Sequence, residues 1–182
     1  MKVTSCDLAG LLLIEPAVFG DNRGFFLESW NQQRYRDAGI AADFVQDNFS
    51  LSSRGTLRGL HFQNPMVQGK LVSVWQGEVW DVAVDIRRRS PTFGRWFGVT
   101  LSADNKRQLY VPPGFAHGFV VMSDRALFHY KCTDFYSPKD EVGFRWDDPA
   151  VGIQWPPVER PILSRRDAAN PLLSELPVGK LF

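Results

Sequence analysis

The sequence predicts an all-β fold, a sandwich or barrel of short strands with few short helices. Three observations lead there. Runs rich in β-branched and aromatic residues recur between Gly- and Pro-containing breaks along much of the chain, the pattern of many short strands in one domain. Asp81, Ala83 and Asp85 alternate with Val82, Val84 and Ile86, the period of two of a strand with unlike faces. Helical periodicity is scarce. At 182 residues, 44% hydrophobic and 23% charged, the chain suits one domain over residues 1–182 with a substantial core.

Taken in order, the first apolar run is "GLLLIEPAVF". It is too short to span a bilayer and lacks the basic start and cleavage pattern of a signal peptide, so no membrane association and a cytoplasmic location are expected. "NQQRYRDAG", residues 31–39, is the one plausible helix, with Asn31 able to cap it and Gly39 able to end it. The strongest strand signal is "KLVSVWQGEVWDVAVDIR", residues 70–87, read as a hairpin turning at "QGE". "RRRS" at 87–90 reads as a solvated loop, and "TFGRWFGVTL" as further strand. A second strand pair runs from "RQLYV" through "PPGFAHGFVVM" to "RALFHYKCTDFY". The last third, with "DDP", "WPP" and "RPILS", reads as extended, turn-rich chain.

A net charge of +1 gives no global electrostatic case for nucleic acid or an anionic membrane as partner. Cys6 and Cys132 lie far apart and match no zinc or redox spacing, so reduced thiols are expected.

Chemistry must come from few groups, because there are only three histidines, His61, His117 and His129. "PPGFAHGF" has the form Pro-x-Gly-x-x-His through Pro112, Gly114 and His117, which resembles the second motif of the cupin jelly-roll barrels. In their first motif a His-x-His and a Glu supply metal ligands. Here His61-Phe62-Gln63 takes the first place, and Lys70, with six residues between it and Gly77, takes the Glu place. A protonated lysine has no lone pair for a cation and repels one, so no metal is expected. A lysine in such a pocket does part of a metal's work, stabilising the oxyanion that appears when a neighbouring carbon loses its proton. His61 suits the base for that proton at neutral pH. Arg58, His61 and Lys70 are expected to share one pocket. His129, next to Tyr130 on a strand, points to the other face and reads as structural. Phe62 likewise faces away from His61, and Cys132 reads as a small core residue. Asp81 and Asp85 are candidates for groups backing the pocket.

Seven segments in order carry a more specific resemblance: "VFGDNRGFFLESW" (18–30), "FVQDNFS" (44–50), "LRGLHFQ" (57–63), "QGKLV" (68–72), "PPGFAHGF" (112–119), "YKCTDFYSPKDE" (130–141) and "ILSRRD" (162–167). Together they resemble the dTDP-4-dehydrorhamnose 3,5-epimerases, metal-free cupin-type enzymes that need no cofactor. The resemblance implies a dTDP-linked 4-keto-6-deoxyhexose as substrate, inverted at C3 and C5 on either side of the C4 ketone. It implies His61 as base with Asp167 as its partner, Lys70 on the C4 oxygen, and Tyr130 as the acid on the opposite face. It also implies a substrate-binding set of Phe19, Arg23, Glu28, Gln46, Asp47, Asn48, Arg58, His117, Tyr136, Glu141 and Arg166, with Arg58, Arg23 and His117 toward diphosphate and sugar and Tyr136 stacked on thymine. Arg23 and Glu28 are implied to come from a neighbouring subunit, in a homodimer that exchanges its N-terminal strands and shares its sites.

The usual Lys-Asp of this family reads Arg166-Asp167 here, which keeps the charge and changes the geometry of its contact. The alternatives are an epimerase acting at C3 or C5 alone, a non-catalytic nucleotide-sugar binding module, and a metal-dependent cupin oxygenase or isomerase.

Overall fold

The computed structural model describes residues 1–158 and 160–182. Its elements are β1 (Lys2–Ser5), β2 (Leu12–Glu15), β3 (Val18–Asp21), β4 (Gly24–Leu27), α1 (Gln32–Asp37), β5 (Gln46–Ser53), β6 (Leu57–Gln63), β7 (Lys70–Gln76), β8 (Glu78–Asp85), β9 (Trp96–Ser102), β10 (Gln108–Val111), β11 (Phe115–Val121), β12 (Arg125–Cys132), β13 (Glu141–Gly143) and α2 (Arg165–Ala169). Strands dominate, as expected, and they form the two facing sheets of a cupin-type jelly roll. One sheet has the order β1-β2-β10-β7-β12-β5 and the other β13-β6-β11-β8-β9.

The core between the sheets includes Val72, Val74, Val79, Ala83, Leu109, Phe115, Phe119 and Phe128. Each of the Val, Leu and Phe side chains contributes about 1.5–3 kcal/mol relative to an exposed one. A second apolar layer covers the outer face of the five-stranded sheet, where Leu173, Leu176 and Phe144 pack on Leu60, Phe62, Val82, Val84 and Ile86. These two layers explain β8, whose Glu78–Asp85 run is buried on both faces after its first turn: Val79 and Ala83 point inward while Val82 and Val84 meet the C-terminal chain. The alternation is real, but neither face is wet.

The expected hairpin across "QGE" does not form. β7 pairs with β10 and β12, whereas β8 pairs with β11 and β9. Gly77, at φ 73°, is the point where the chain leaves one sheet for the other. A Cβ there lies 2.0 Å from the carbonyl oxygen of Arg125, so the crossing admits only glycine. The second expected pair divides the same way, with β10 and β12 in one sheet and β11 in the other. Alternation identifies strands but not their partners.

The helix is where it was expected. Asn31 accepts a hydrogen bond from the Arg34 amide at 3.1 Å, and Gly39, at φ 96°, ends it. Tyr35 is buried and donates to Gln108 at 2.6 Å, which fastens α1 to the six-stranded sheet. The C-terminal third is extended and turn-rich, but it also contains the unforeseen helix α2, capped by Ser164, whose hydroxyl accepts from the Asp167 amide at 3.0 Å.

β3 and β4 pair only with each other. Phe19, Phe25 and Phe26 on this ribbon are 66%, 60% and 69% exposed, an apolar arm outside the core. Both cysteines are free thiols. Among the described residues no helix is long and apolar enough to cross a membrane.

Candidate active site

A cavity of about 400 Å³ is lined by residues of both sheets. Its first wall is β6. On a regular strand Arg58 and His61 point to opposite faces, yet both line the cavity. The cause is a bulge: His61 faces His117 and Arg58 faces Phe119, so three steps on β6 match two on β11. Gly59, at φ 117°, allows it, since a Cβ there lies 2.5 Å from Gly118 Cα.

His61 Nε2 lies 2.5 Å from Asp167 Oδ1. Burial alone raises the pKa of Asp167, but the hydrogen bond and charge of His61, with Ser164 and Arg166, outweigh it and hold the carboxyl below the usual carboxylate range. An ionised Asp167 accepts from Nε2–H, which leaves Nδ1 as the basic nitrogen of the ring. A second pair lies beside the first: His117 Nε2 is 3.0 Å from each carboxylate oxygen of Asp81. Burial pushes the Asp81 carboxyl up, against the pull of His117 and Lys70. Asp81 thus backs the cavity by holding His117. Asp85 does not, because its oxygens are taken by Arg87, Ser90 and Thr92 in the next turn.

The facing wall comes from β7 and β12 with Lys70, Tyr130 and Cys132. The Lys70 ammonium makes no hydrogen bond or ion pair to protein among the described residues and stands 5.9 Å from the Tyr130 ring centre. Burial pushes its pKa down, opposed by the Cys132 thiol and the carboxylates of Glu141 and Asp81. Burial also pushes the Tyr130 phenol up to about 12, with Cys132 and Glu141 adding to it. Phe119 and Phe128, stacked at 4.1 Å, form an apolar floor that lowers the local dielectric.

The far end is a belt of polar contacts. Arg166 donates to Oε2 of Glu141 and, at 2.9 Å, to its carbonyl oxygen. The Tyr136 hydroxyl donates to the same carboxylate at 2.9 Å. The Tyr136 amide donates to Gln46 at 2.9 Å, and Gln46 donates to Asn48 at 3.0 Å. Arg58 donates to Ser52 at 3.2 Å.

Of the residues singled out in the sequence, His61, Lys70, Tyr130, Asp167, Gln46, Asn48, Arg58, His117, Tyr136, Glu141 and Arg166 all line this cavity. Asp47 does not. Period two turns it to the outer face of β5, where Lys131 binds it at 2.8 Å and His129 lies 3.6 Å away. His129 is on that outer face, as expected. Phe19, Arg23 and Glu28 also lie outside the chain's own cavity: Arg23 is paired with Asp21 on the β3–β4 ribbon, and Glu28 with Arg34.

Cys132, Gln68, Ser50 and Ser164 are cavity residues that the sequence reading missed or took for core. Period two leads from Gln46 and Asn48 to Ser50 and from Tyr130 to Cys132; Ser164 carries no such signal. Gln63, at a cupin ligand position, is 3% exposed. It donates to the carbonyls of Met66 and Phe135 and accepts from the Ser137 amide. Among the described residues no three His, Cys, Asp or Glu side chains converge on a cation site.

Comparison with known proteins gives a consistent picture. Residues 5–175 match the family described as dTDP-4-dehydrorhamnose 3,5-epimerase. The enzyme of that name from Salmonella typhimurium is 55% identical over 177 residues, covering 96% of this chain and 97% of its own. That of Pseudomonas aeruginosa is 55% identical over 168 residues, covering 92% and 93%. The crystal structure of dTDP-6-deoxy-D-glucose-3,5-epimerase from Legionella pneumophila, in complex with dTDP-4-keto-L-rhamnose, superposes with a TM-score of 0.97 at 52% identity, covering 99% of this chain and 96% of that one.

Proposed function

The chain belongs to the dTDP-4-dehydrorhamnose 3,5-epimerase family, and from that premise we propose how its cavity inverts C3 and C5 of dTDP-4-dehydro-6-deoxy-D-glucose, giving dTDP-4-dehydro-L-rhamnose for dTDP-L-rhamnose synthesis. The observation that carries the reading is the meeting of His61, held by Asp167, with Lys70 and Tyr130 in one cavity.

His61 removes the proton beside the C4 ketone, and Asp167 stabilises the imidazolium that results. The electron pair moves to the C4 oxygen, where the Lys70 ammonium, unpaired among the described residues, meets the developing charge. Tyr130 returns a proton to the same carbon from the other side, and the inverted centre is complete. Exchange with solvent takes the proton from His61 and restores the one on Tyr130, and the step then repeats at the second carbon. No cofactor enters this scheme.

Arg58 and His117 suit the diphosphate, arginine through its planar fork. Tyr136 suits the thymine face, with Glu141, Gln46 and Asn48 around the nucleotide. We place Phe19, Arg23 and Glu28 in the site of a second subunit. The exposed apolar β3–β4 arm supports this, as does the position of these three outside their own chain's cavity. The protein then works as a homodimer with shared sites, in the cytoplasm.

Proton NMR of the 4-keto substrate incubated with the protein in D2O tests the function. Deuterium at both C3 and C5, with formation of the L-rhamno product on reduction, is expected. Deuterium at one carbon identifies a single-centre epimerase, and exchange at neither leaves a nucleotide-sugar binding protein.

A further inference from the structure

We propose that Arg166 and Asn170 are positioning residues that seat α2 on β13 in a fixed register and so set where Asp167 meets His61. The inference rests on the epimerase reading above and goes beyond it. Arg166 lies in α2, and Asn170 caps its C-terminus. Arg166 grips Glu141 through both side chain and backbone carbonyl. The Asn170 amide nitrogen lies 2.8 Å from the point a Cβ on Gly143 would occupy.

The spacing is matched. Four helical residues advance roughly 6 Å, and two strand residues advance roughly 7 Å. One face of α2 therefore meets one face of β13 at two points, 166 on 141 and 170 on 143. Asp167 lies between those points. Gly143 is paired in register with His61, so the strand that receives α2 is also the neighbour of the base.

Folding energy does not account for these contacts. An ion pair as exposed as Arg166–Glu141 adds little stability. The Asn170 amide nitrogen is buried with no hydrogen-bond partner among the described residues, which costs stability. Both contacts fix geometry instead. Glu141 also accepts from Tyr136, so the nucleotide end of the cavity reaches α2 through a single carboxylate. Binding there is transmitted to the dyad, a use of remote binding energy to align reacting groups.

The test is a double-mutant cycle of Arg166→Met with Asp167→Asn, read as deuterium incorporation from D2O at saturating substrate, with dTDP affinity measured separately by calorimetry. Arg166→Met alone lowers incorporation about 10- to 100-fold and leaves dTDP affinity within about twofold, and Arg166→Lys recovers part of the rate. In the Asp167→Asn background Arg166→Met adds no further loss, because it acts through Asp167. Losses that add in full, or a loss confined to dTDP affinity, overturn the proposal and make Arg166 a plain substrate contact. Gly143→Ala, which displaces Asn170, tests the second point by the same cycle if Arg166→Met does not fold, and additivity overturns it there too. A wild type that exchanges no deuterium removes the epimerase reading itself; an active wild type with additive losses removes this proposal alone.

Discussion

The imidazole of His61 and the carboxylate of Asp167 meet at 2.5 Å although 106 positions separate them in the chain. One group stands on a strand of the five-stranded sheet and the other on a five-residue helix. The contact fixes the tautomer of the ring and keeps the carboxylate ionised.

His61→Ala is expected to abolish deuterium exchange while dTDP affinity stays within about twofold. Asp167→Asn keeps the shape and removes the charge, so turnover falls roughly 10²- to 10⁴-fold. Steady-state kinetics with parallel calorimetry checks both, and an active His61→Ala enzyme overturns the assignment of the base.

Tyr130→Phe separates removal from return of the proton. With its pKa pushed up to about 12, the phenol stays protonated across the physiological range and is available as an acid. Without it, His61 still takes the proton and returns a deuteron to the same side. Label then enters the substrate without inversion, visible as exchange in NMR with product formation down about 100-fold or more.

Lys70→Met is predicted to be more stable than the wild type and nearly inactive. A half-buried ammonium that has no hydrogen-bond partner among the described residues is replaced by an apolar chain of similar length, so desolvation no longer opposes folding. A gain of about 1 kcal/mol raises Tm by roughly 2–6 °C, while turnover falls about 100-fold or more. A lower Tm contradicts the view of Lys70 as an unpaired charge held for catalysis.

Asp85 provides the pH test of stability. Burial opposes its ionisation, but Arg87, Ser90 and Thr92 lower its pKa from 3.8 to about 2. A carboxyl depressed in the folded state stabilises above its unfolded pKa and loses that contribution as pH falls through the folded value. Near two units at 1.36 kcal/mol each, Asp85→Asn costs about 2 kcal/mol at pH 7. The difference shrinks from about pH 4 downward and is gone only below about pH 2, as urea denaturation at a series of pH values reads out.

The shared sites proposed above make a sharp statement about mixtures. Light scattering is expected to give twice the chain mass of 20.7 kDa. His61→Ala and Arg23→Ala are each inactive alone, but a mixed dimer contains one site with both residues intact. Unfolding and refolding an equimolar mixture therefore restores about one quarter of wild-type activity by statistical pairing. No restoration places Arg23 in the site of its own chain or outside any site.

Much of the fold was legible because its signals are local. Asn31 and Gly39 bracket α1, and period two marks β8. What escaped the reading depends on contacts distant in sequence. Gly77 reads as a hairpin turn until the carbonyl of Arg125 is beside it. Arg58 and His61 share a cavity only because Gly59 and Gly118 let β6 bulge against β11. Asp47 sits among residues that resemblance sends to the substrate, yet a regular strand turns it to Lys131. α2 is too short for periodicity to show, and its place is set by β13 and the chain around it.

His61 belongs to one sheet of the jelly roll and Tyr130 to the other. On the roles proposed here, the sugar ring lies between two walls of different chemistry, so each of its diastereotopic faces reads a different sheet. Handedness is then written into the layering of the domain, and the protein need not turn over between taking and giving the proton. Only the substrate must change pucker, to bring its second carbon to the same pair of walls.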